Sequence, residues 1–530
     1  MPTRDTLLER IRIGALLAGA RRVWPDILLL VALVAGNGFV RWVGLDPIEN
    51  GGDPLDNWYF VRQFAYENHP ATAWLDHHSA RFGIHWITFL VQKIFGVHPK
   101  FYYFPQLFAS ALCVGLVYLL GRQVAGRAVA VLAALLLIEN DLFESASSQL
   151  RRGIFETAYA LIVANCLVRY ISTSGRQAER WLLACTLAQF LTYMVELPSL
   201  FLMPAVLLVM WLAHRNLKHL LWYCGILVGL FLVETAIYSI FTQYSSRLAV
   251  ITGAHLSKEG TPHDFWYVLG RVTEADESTK LVYYTFFGAG AAILAFRDSL
   301  KERVPVLLTA SFLFLMTFTL RGIDPIRVFQ RNSGRYILMT VPPALVAVSI
   351  VMIAALGELG AFLGRTRAFQ RFRLQGTVAL LAGLAFALLL IAGEGLKGWS
   401  ERRKPHAWES LDTVYSLLND TYARKLPIIA EVSKRKGQEQ GWQARGLHWA
   451  LKGFVRDDLL VQRGVLPDFQ YEKSIEILDS ERRYAPVTPE LDADRVRQLE
   501  REGCAVVLRV RGSFMEVSPR SARLPARCKP

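Results

Sequence analysis

Apolar residues fall along this chain in blocks, not at the scattered positions a soluble core would need. Several blocks, among them Trp24–Val43, Phe101–Leu120, Leu220–Phe241, Tyr336–Leu356 and Thr377–Leu396, run close to the roughly 20 residues that cross a hydrocarbon layer as a helix. With turn signals as boundaries, the pattern predicts about eleven spans. They lie near 24–43, 102–120, 125–141, 153–171, 181–196, 198–213, 220–241, 281–296, 304–320, 335–356 and 377–396. After residue 397 the blocks stop. Strand-like runs (Leu426–Val432, Cys504–Val510) there alternate with a helical stretch, Ala493–Glu502, the pattern of a small α/β unit. The predicted fold class is therefore an all-α polytopic membrane core over residues 1–396 with a small C-terminal α/β extracytoplasmic domain over 397–530. Three polar segments interrupt the core on one side, at 44–100, 242–280 and 321–334.

Charge fixes the orientation. The net charge of +14 over 530 residues does not imply a nucleic-acid partner, because the excess sits in short loops between apolar blocks, as the positive-inside bias requires. Arg122 and Arg127; Arg169, Arg176 and Arg180; Arg215 and Lys218; Arg297, Lys301 and Arg303; and Arg365, Arg367, Arg371 and Arg373 fall on one side, with the basic N-terminus. An odd number of spans then puts the tail on the opposite face, outside the cytoplasm. The first apolar stretch is long and lacks a small-residue cleavage site, so it reads as a retained span and not a removed signal peptide. Mean hydropathy is only +0.28 because the tail dilutes it. Four of the six cysteines lie in apolar blocks; Cys504 and Cys528 stand apart in the tail, where they are either free or paired with each other.

Ionisable residues near spans are costly and usually face a cavity. Arg41, Glu139, Asp141, Glu156, Glu196, Glu234, Arg335 and Glu394 all lie toward the outer halves of their spans, which implies a polar cavity open to that side. The first outer segment begins Gly51-Gly52-Asp53-Pro54-Leu55-Asp56. Asp53 before Pro54 suits a helix N-cap, leaving Asp56 on the first turn as a candidate general base. Asp76, His77, His78 and His85 are compatible with a divalent metal, but the spacing is not that of a helical ligand pair. Arg81 is a candidate cation for phosphate. So are Arg327, Arg331 and Arg335, which with Arg321 oppose only Asp324 on the side where basic residues are disfavoured. Spaced by four, these three would share a face if the stretch were helical, and the guanidinium fork matches phosphate. Segment 242–280 mixes signs (Lys258, Glu259, Asp264, Arg271, Glu274) and carries no such signal.

In order and spacing these features resemble the membrane glycosyltransferases of the GT-C fold, in the branch of protein O-mannosyltransferases, the lipid A aminoarabinose transferase and rhizobial galacturonosyl transferases. The resemblance covers roughly residues 25–350. Asp56-Asn57-Trp58-Tyr59-Phe60 is similar to the branch's Asp-Glu-x-x-Tyr/Phe motif, with Asn57 in place of Glu. Arg81 stands where the lipid A enzyme has the Lys of Lys-Pro-Pro, without the prolines. Ile94-Phe95-Gly96-Val97 and Tyr118-Leu119-Leu120-Gly121-Arg122 look like its Leu-Phe-Gly and Leu-Gly-Arg landmarks. Glu156 stands at the second acidic site, where Asp is commoner, and Gly334-Arg335-Tyr336 with Pro342-Pro343 is similar to a late Arg-Tyr…Pro element.

The resemblance implies transfer of a sugar from a polyprenyl-phosphate donor to a glycan, lipid or protein acceptor, with inversion, at the periplasmic face of the inner membrane. It implies Asp56 as base, with Glu156 orienting the acceptor or Asp56. Arg81, Arg327, Arg331 and Arg335 would bind the leaving phosphate, with Asp53, Tyr59, His85 and Tyr336 as secondary candidates. No Walker or Rossmann glycine pattern occurs, which fits a lipid-linked donor. A transporter or flippase of an anionic or lipid-linked substrate would share the spans and the cavity, but it usually shows paired half-repeats, and none stands out here. An O-antigen ligase or polymerase would carry its key arginines and histidine in a large late loop.

Overall fold

A computed structural model describes residues 4–45, 53–66, 80–241, 244–256, 277–318, 320–323, 326–328, 337–364, 415–417, 419–421, 423–424, 426–432, 453–454, 475–479, 483–485, 493–511, 514–517 and 524–528. The span expected at 377–396 lies outside the described residues. The core helices are α1 (Arg4–Val43), α2 (Asp53–Tyr66), α3 (Phe82–Phe95), α4 (Phe104–Val124), α5 (Arg127–Ile138), α6 (Asp141–Ser147), α7 (Arg152–Ile171), α8 (Gly175–Val195), α9 (Met203–His214), α10 (Leu217–Phe241), α11 (Arg247–Leu256), α12 (Glu277–Phe296), α13 (Leu300–Phe318) and α14 (Val341–Gly364).

Among the described residues, seven segments are long and apolar enough to cross a membrane: Trp24–Val43, Pro99–Val124, Arg152–Ile171, Leu197–His214, Leu217–Phe241, Thr279–Phe296 and Leu338–Glu358. Each coincides with a predicted span. The spans expected at 125–141, 181–196 and 304–320 also fall on helices. However, α5 has 12 residues, and α8 and α13 open with the charged runs Arg176, Glu179, Arg180 and Lys301, Glu302, Arg303.

Helix α7 is the hub. Nearly every one of its side chains is buried, against α4 and α8 above all. Gly121 shows why the landmark in the last turns of α4 is a glycine: a Cβ there would meet Ala130 Cα at 2.7 Å, so only Gly lets α4 and α5 approach this closely. The two ends of the bundle carry different chemistry. At one, Asp26 accepts hydrogen bonds from Tyr118, Arg122 and Arg127 at 2.9, 3.1 and 2.7 Å, joining the first basic loop to the start of the first span. At the other, buried Arg41 donates to the Ile138 carbonyl, lies 3.5 Å from Glu144 and sits over the Phe143 ring. There Asn140 caps α6 by accepting from the Phe143 N–H at 3.0 Å. Arg122 and Arg127 thus lie by one end of the first span and Arg41 by the other.

The conditional helix through Arg327 is corrected. Leu320–Ile323 (β1) and Ile326–Val328 (β2) form an antiparallel pair, separated in sequence by Asp324-Pro325, residues that interrupt helices and favour turns. Arg321 and Arg327 therefore lie on strands and not on a helical face.

In the tail, β3 (Ile428–Val432), β4 (Ile475–Asp479), β5 (Arg483–Ala485), β6 (Val506–Arg511) and β7 (Phe514–Val517) form a sheet ordered β4-β5-β3-β6-β7. Only the β3–β6 pair is parallel. Helix α15 (Ala493–Arg501) precedes β6 and buries Val496 and Leu499, three apart, against Leu426, Ile429 and Ala505. Cys504 and Cys528 are joined by a disulfide, with Cα atoms 5.2 Å apart across a separation of 24 residues. Closing a loop of that length is worth about 3.5 kcal/mol by the chain-entropy account. Cys504→Ser is therefore expected to make the tail cleavable by protease at lower urea than in the wild type, while cleavage between spans is unchanged. Equal protection in the two proteins would contradict that weight.

Candidate functional site

Four buried ionisable side chains converge where the beginnings of α3 and α7 meet the end of α8. Arg81 occupies the N-cap position of α3, Arg152 and Glu156 the first turns of α7, and Glu196 the C-cap of α8. All four are at most 5% exposed. Arg152 Nη1 lies 2.5 Å and Arg81 Nη2 3.8 Å from the same oxygen, Glu196 Oε1. Glu156, one turn beyond Arg152, is near enough to feel Glu196, Arg152 and Arg81 electrostatically. Two guanidinium groups thus face two carboxylates, a balance the interior demands because an uncompensated buried charge is strongly destabilising.

Local sequence makes this convergence possible. A Cβ at Gly83 would fall 2.5 Å from Val195 Cγ2, so glycine lets α3 press against the last turn of α8 and brings Arg81 beside Glu196. The Gly83 carbonyl accepts from Tyr159 Oη at 2.9 Å, and Tyr159 Oη accepts from Trp86 Nε1 at 3.0 Å. The start of α2 is fastened to the same place. Asn57 Nδ2 donates to the Leu150 carbonyl at 3.0 Å, and Gln92 Nε2 donates to the Trp58 carbonyl at 3.0 Å. The first turn of α2 is thereby tied to the turn that leads into Arg152 and Glu156.

A second charged group adjoins the first. Arg247 on α11, fully buried, donates from Nε to the Ala80 carbonyl at 2.6 Å. It lies 3.9 Å from Glu234 Oε1 and 4.5 Å over the Tyr193 ring, while Tyr193 Oη donates to Glu234 Oε2 at 2.9 Å. His85 lies close to both groups. Burial, then Arg81 and Arg247, push its imidazole down to about 3, so it is neutral at physiological pH. Beside it opens an apolar groove of about 290 Å³ lined by Val61, Phe82, Trp86, Phe89, Leu191 and Met194.

Of the residues singled out from sequence, Arg81, Glu156 and His85 come together here. Tyr59 is buried on α2. Asp53 begins α2 and Asp56 lies on its first turn, their side chains outside the described residues. Arg327 lies on β2; Arg331, Arg335, Tyr336, Asp76, His77 and His78 lie outside the described residues. The sequence reading missed Arg152 and Arg247. Arg152 carries one available signal, its position four before Glu156 on a helix. Segment 242–280, read as carrying no site signal, supplies Arg247. Glu196 and Glu234 stood out as outer-half acids, but nothing in the sequence paired them with these arginines.

The spans, with a buried charge cluster and an apolar groove alongside, are those of a multi-pass membrane protein. Residues 77–238, from just before Arg81 to Tyr238, match the dolichyl-phosphate-mannose-protein mannosyltransferase family. In three dimensions the chain is similar to the crystal structure of ArnT from Cupriavidus metallidurans in the apo state (TM-score 0.53, 16% identity, covering 92% of this chain and 93% of that one). It is similar also to the same protein bound to undecaprenyl phosphate (TM-score 0.52, 15% identity, 83% of this chain and 89% of that one). No curated protein matches it significantly by sequence. The resemblance to GT-C-fold membrane glycosyltransferases therefore holds in a sequence segment containing Arg81, Arg152, Glu156 and Glu196, and in the fold.

Proposed function

We propose that this protein transfers a sugar from a polyprenyl-phosphate carrier to a hydroxyl of an envelope glycan or lipid, at the outer face of the inner membrane. The observation that carries the reading is the buried cationic pair, Arg81 and Arg152, beside an apolar groove. A lipid phosphate has both a strong anion and a long hydrocarbon chain, and needs both features side by side. The ArnT crystal structure with undecaprenyl phosphate supports that ligand class.

In the reaction, the acceptor oxygen attacks the anomeric carbon, the bond from that carbon to the phosphate oxygen breaks, and polyprenyl phosphate leaves. Asp56 takes the acceptor proton, and Glu156 orients Asp56 or the acceptor. Arg81 and the arginines of 321–335, joined by Arg247, stabilise charge as it builds on the leaving phosphate. Tyr59, His85, Asp53 and Tyr336 are secondary candidates, and the chemistry requires neither nucleotide nor metal. The disulfide supports an extracytoplasmic tail, because such bonds persist in oxidising compartments.

The test supplies purified full-length protein in lipid nanodiscs with a panel of undecaprenyl-phosphate monosaccharides and envelope lipid acceptors. Acceptor-dependent release of undecaprenyl phosphate is expected from at least one donor. Binding of undecaprenyl phosphate without release from any donor would favour a lipid transporter, and absence of binding would remove the reading altogether.

A further inference from the structure

We infer that the C-terminal segment takes part in the reaction as a positioning element, with Gly453 and Phe454 holding the first turns of α2 through Trp58, two residues beyond Asp56. The inference rests on the reading of Asp56 as the base.

Trp58 is wholly buried. Its indole N–H donates to the Gly453 carbonyl at 2.9 Å, across 395 residues of sequence. Its ring lies 6.0 Å from that of Phe454 and meets Tyr102 edge-on at 5.7 Å. A Cβ on residue 453 would stand 3.1 Å from Trp58 Cδ1, so the glycine allows its carbonyl to reach the indole. Phe454 is braced from behind: Asn419 Nδ2 donates to the Phe454 carbonyl at 3.3 Å and to the Tyr415 carbonyl at 2.9 Å. The Tyr415 ring in turn lies 4.8 Å from His98. Residues from two parts of the tail thus grip the membrane core around Trp58.

The grip falls where displacement matters. Trp58 follows Asn57, whose side chain fastens α2 to the Leu150 carbonyl just before Arg152 and Glu156. Its own carbonyl is held by Gln92 of α3. Shifting the indole therefore moves the first turns of α2 against the helix that carries Glu156. Misplacing a catalytic group by ~1 Å can cost on the order of a hundredfold in rate.

The experiment uses the full chain in nanodiscs and compares Trp58→Phe, Gly453→Ala, Phe454→Leu and Phe454→Tyr with the wild type. Two quantities are read: backbone amide exchange over residues 53–60, and kcat and KM on whichever undecaprenyl-phosphate sugar the wild type turns over. Trp58→Phe and Gly453→Ala are expected to raise exchange in that stretch. They are expected to lower kcat on the order of tenfold or more with KM for the lipid donor unchanged, whereas Phe454→Tyr keeps both near wild type and Phe454→Leu does not. Unchanged exchange in the first two variants overturns the inference, as does raised exchange with kcat per folded molecule unchanged. If the wild type turns over no donor, the transferase reading fails, and the exchange measurement alone then decides whether the tail holds α2.

Discussion

Asp56→Asn is expected to abolish sugar transfer while leaving the protein folded. A positioned base typically contributes a factor of about 10²–10⁴, and asparagine keeps the shape of aspartate without accepting the acceptor's proton. The fold should tolerate the change because α2 is held by its neighbours. Asn57 is bonded to the Leu150 carbonyl, the Trp58 carbonyl to Gln92, and the Trp58 indole to Gly453. The measurement is single-turnover release of undecaprenyl phosphate, with thermal unfolding followed in parallel on the same samples. Asp53→Asn is the control, since a residue at the start of a helix contributes to capping, where asparagine serves nearly as well as aspartate. A well-folded Asp56→Asn protein that keeps more than a tenth of the rate would move the base to Asp53 or to Glu156.

The spans were legible because their signal is local: a run of apolar side chains is either long enough for a bilayer or it is not. The predicted blocks at 24–43, 153–171 and 220–241 meet helices Trp24–Val43, Arg152–Ile171 and Leu217–Phe241 almost residue for residue. The basic loop through Arg122 and Arg127 closes on Asp26 at the start of the first span. The site was legible only in part. Arg81, Glu156 and His85 could be named, because a charged or polar residue amid apolar ones stands out. Their partners could not, since the approach of Arg81 to Glu196 depends on Gly83 letting α3 lie on α8, a tertiary fact. The helical face suggested by spacing Arg327, Arg331 and Arg335 by four does not hold at Arg327, because Asp324-Pro325 is the stronger local signal and Arg327 lies on a strand paired with β1.

The largest loss of stability is expected from Glu196→Gln. Glu196 faces Arg152 at 2.5 Å and Arg81 at 3.8 Å, and all three are buried. Neutralising it removes the carboxylate that both guanidinium groups share, and breaking a buried ion pair from one side typically costs about 3–5 kcal/mol. The solvent-exposed pair of Arg122 with Asp26 should by contrast be worth no more than about 1 kcal/mol. Removing the excess charge as well, in Glu196→Gln/Arg152→Gln, is expected to recover part of the loss, and the size of that recovery measures the coupling. The same variant also separates structure from ligand recognition. With Glu196 neutral, Arg81 and Arg152 are freer to meet an incoming anion, so undecaprenyl phosphate should raise the unfolding temperature of Glu196→Gln by more than it raises that of the wild type. A variant that loses stability yet gains nothing from the lipid phosphate would show that these arginines serve the buried carboxylates and not a lipid phosphate. A variant as stable as the wild type would show that Glu196 does not balance them at all.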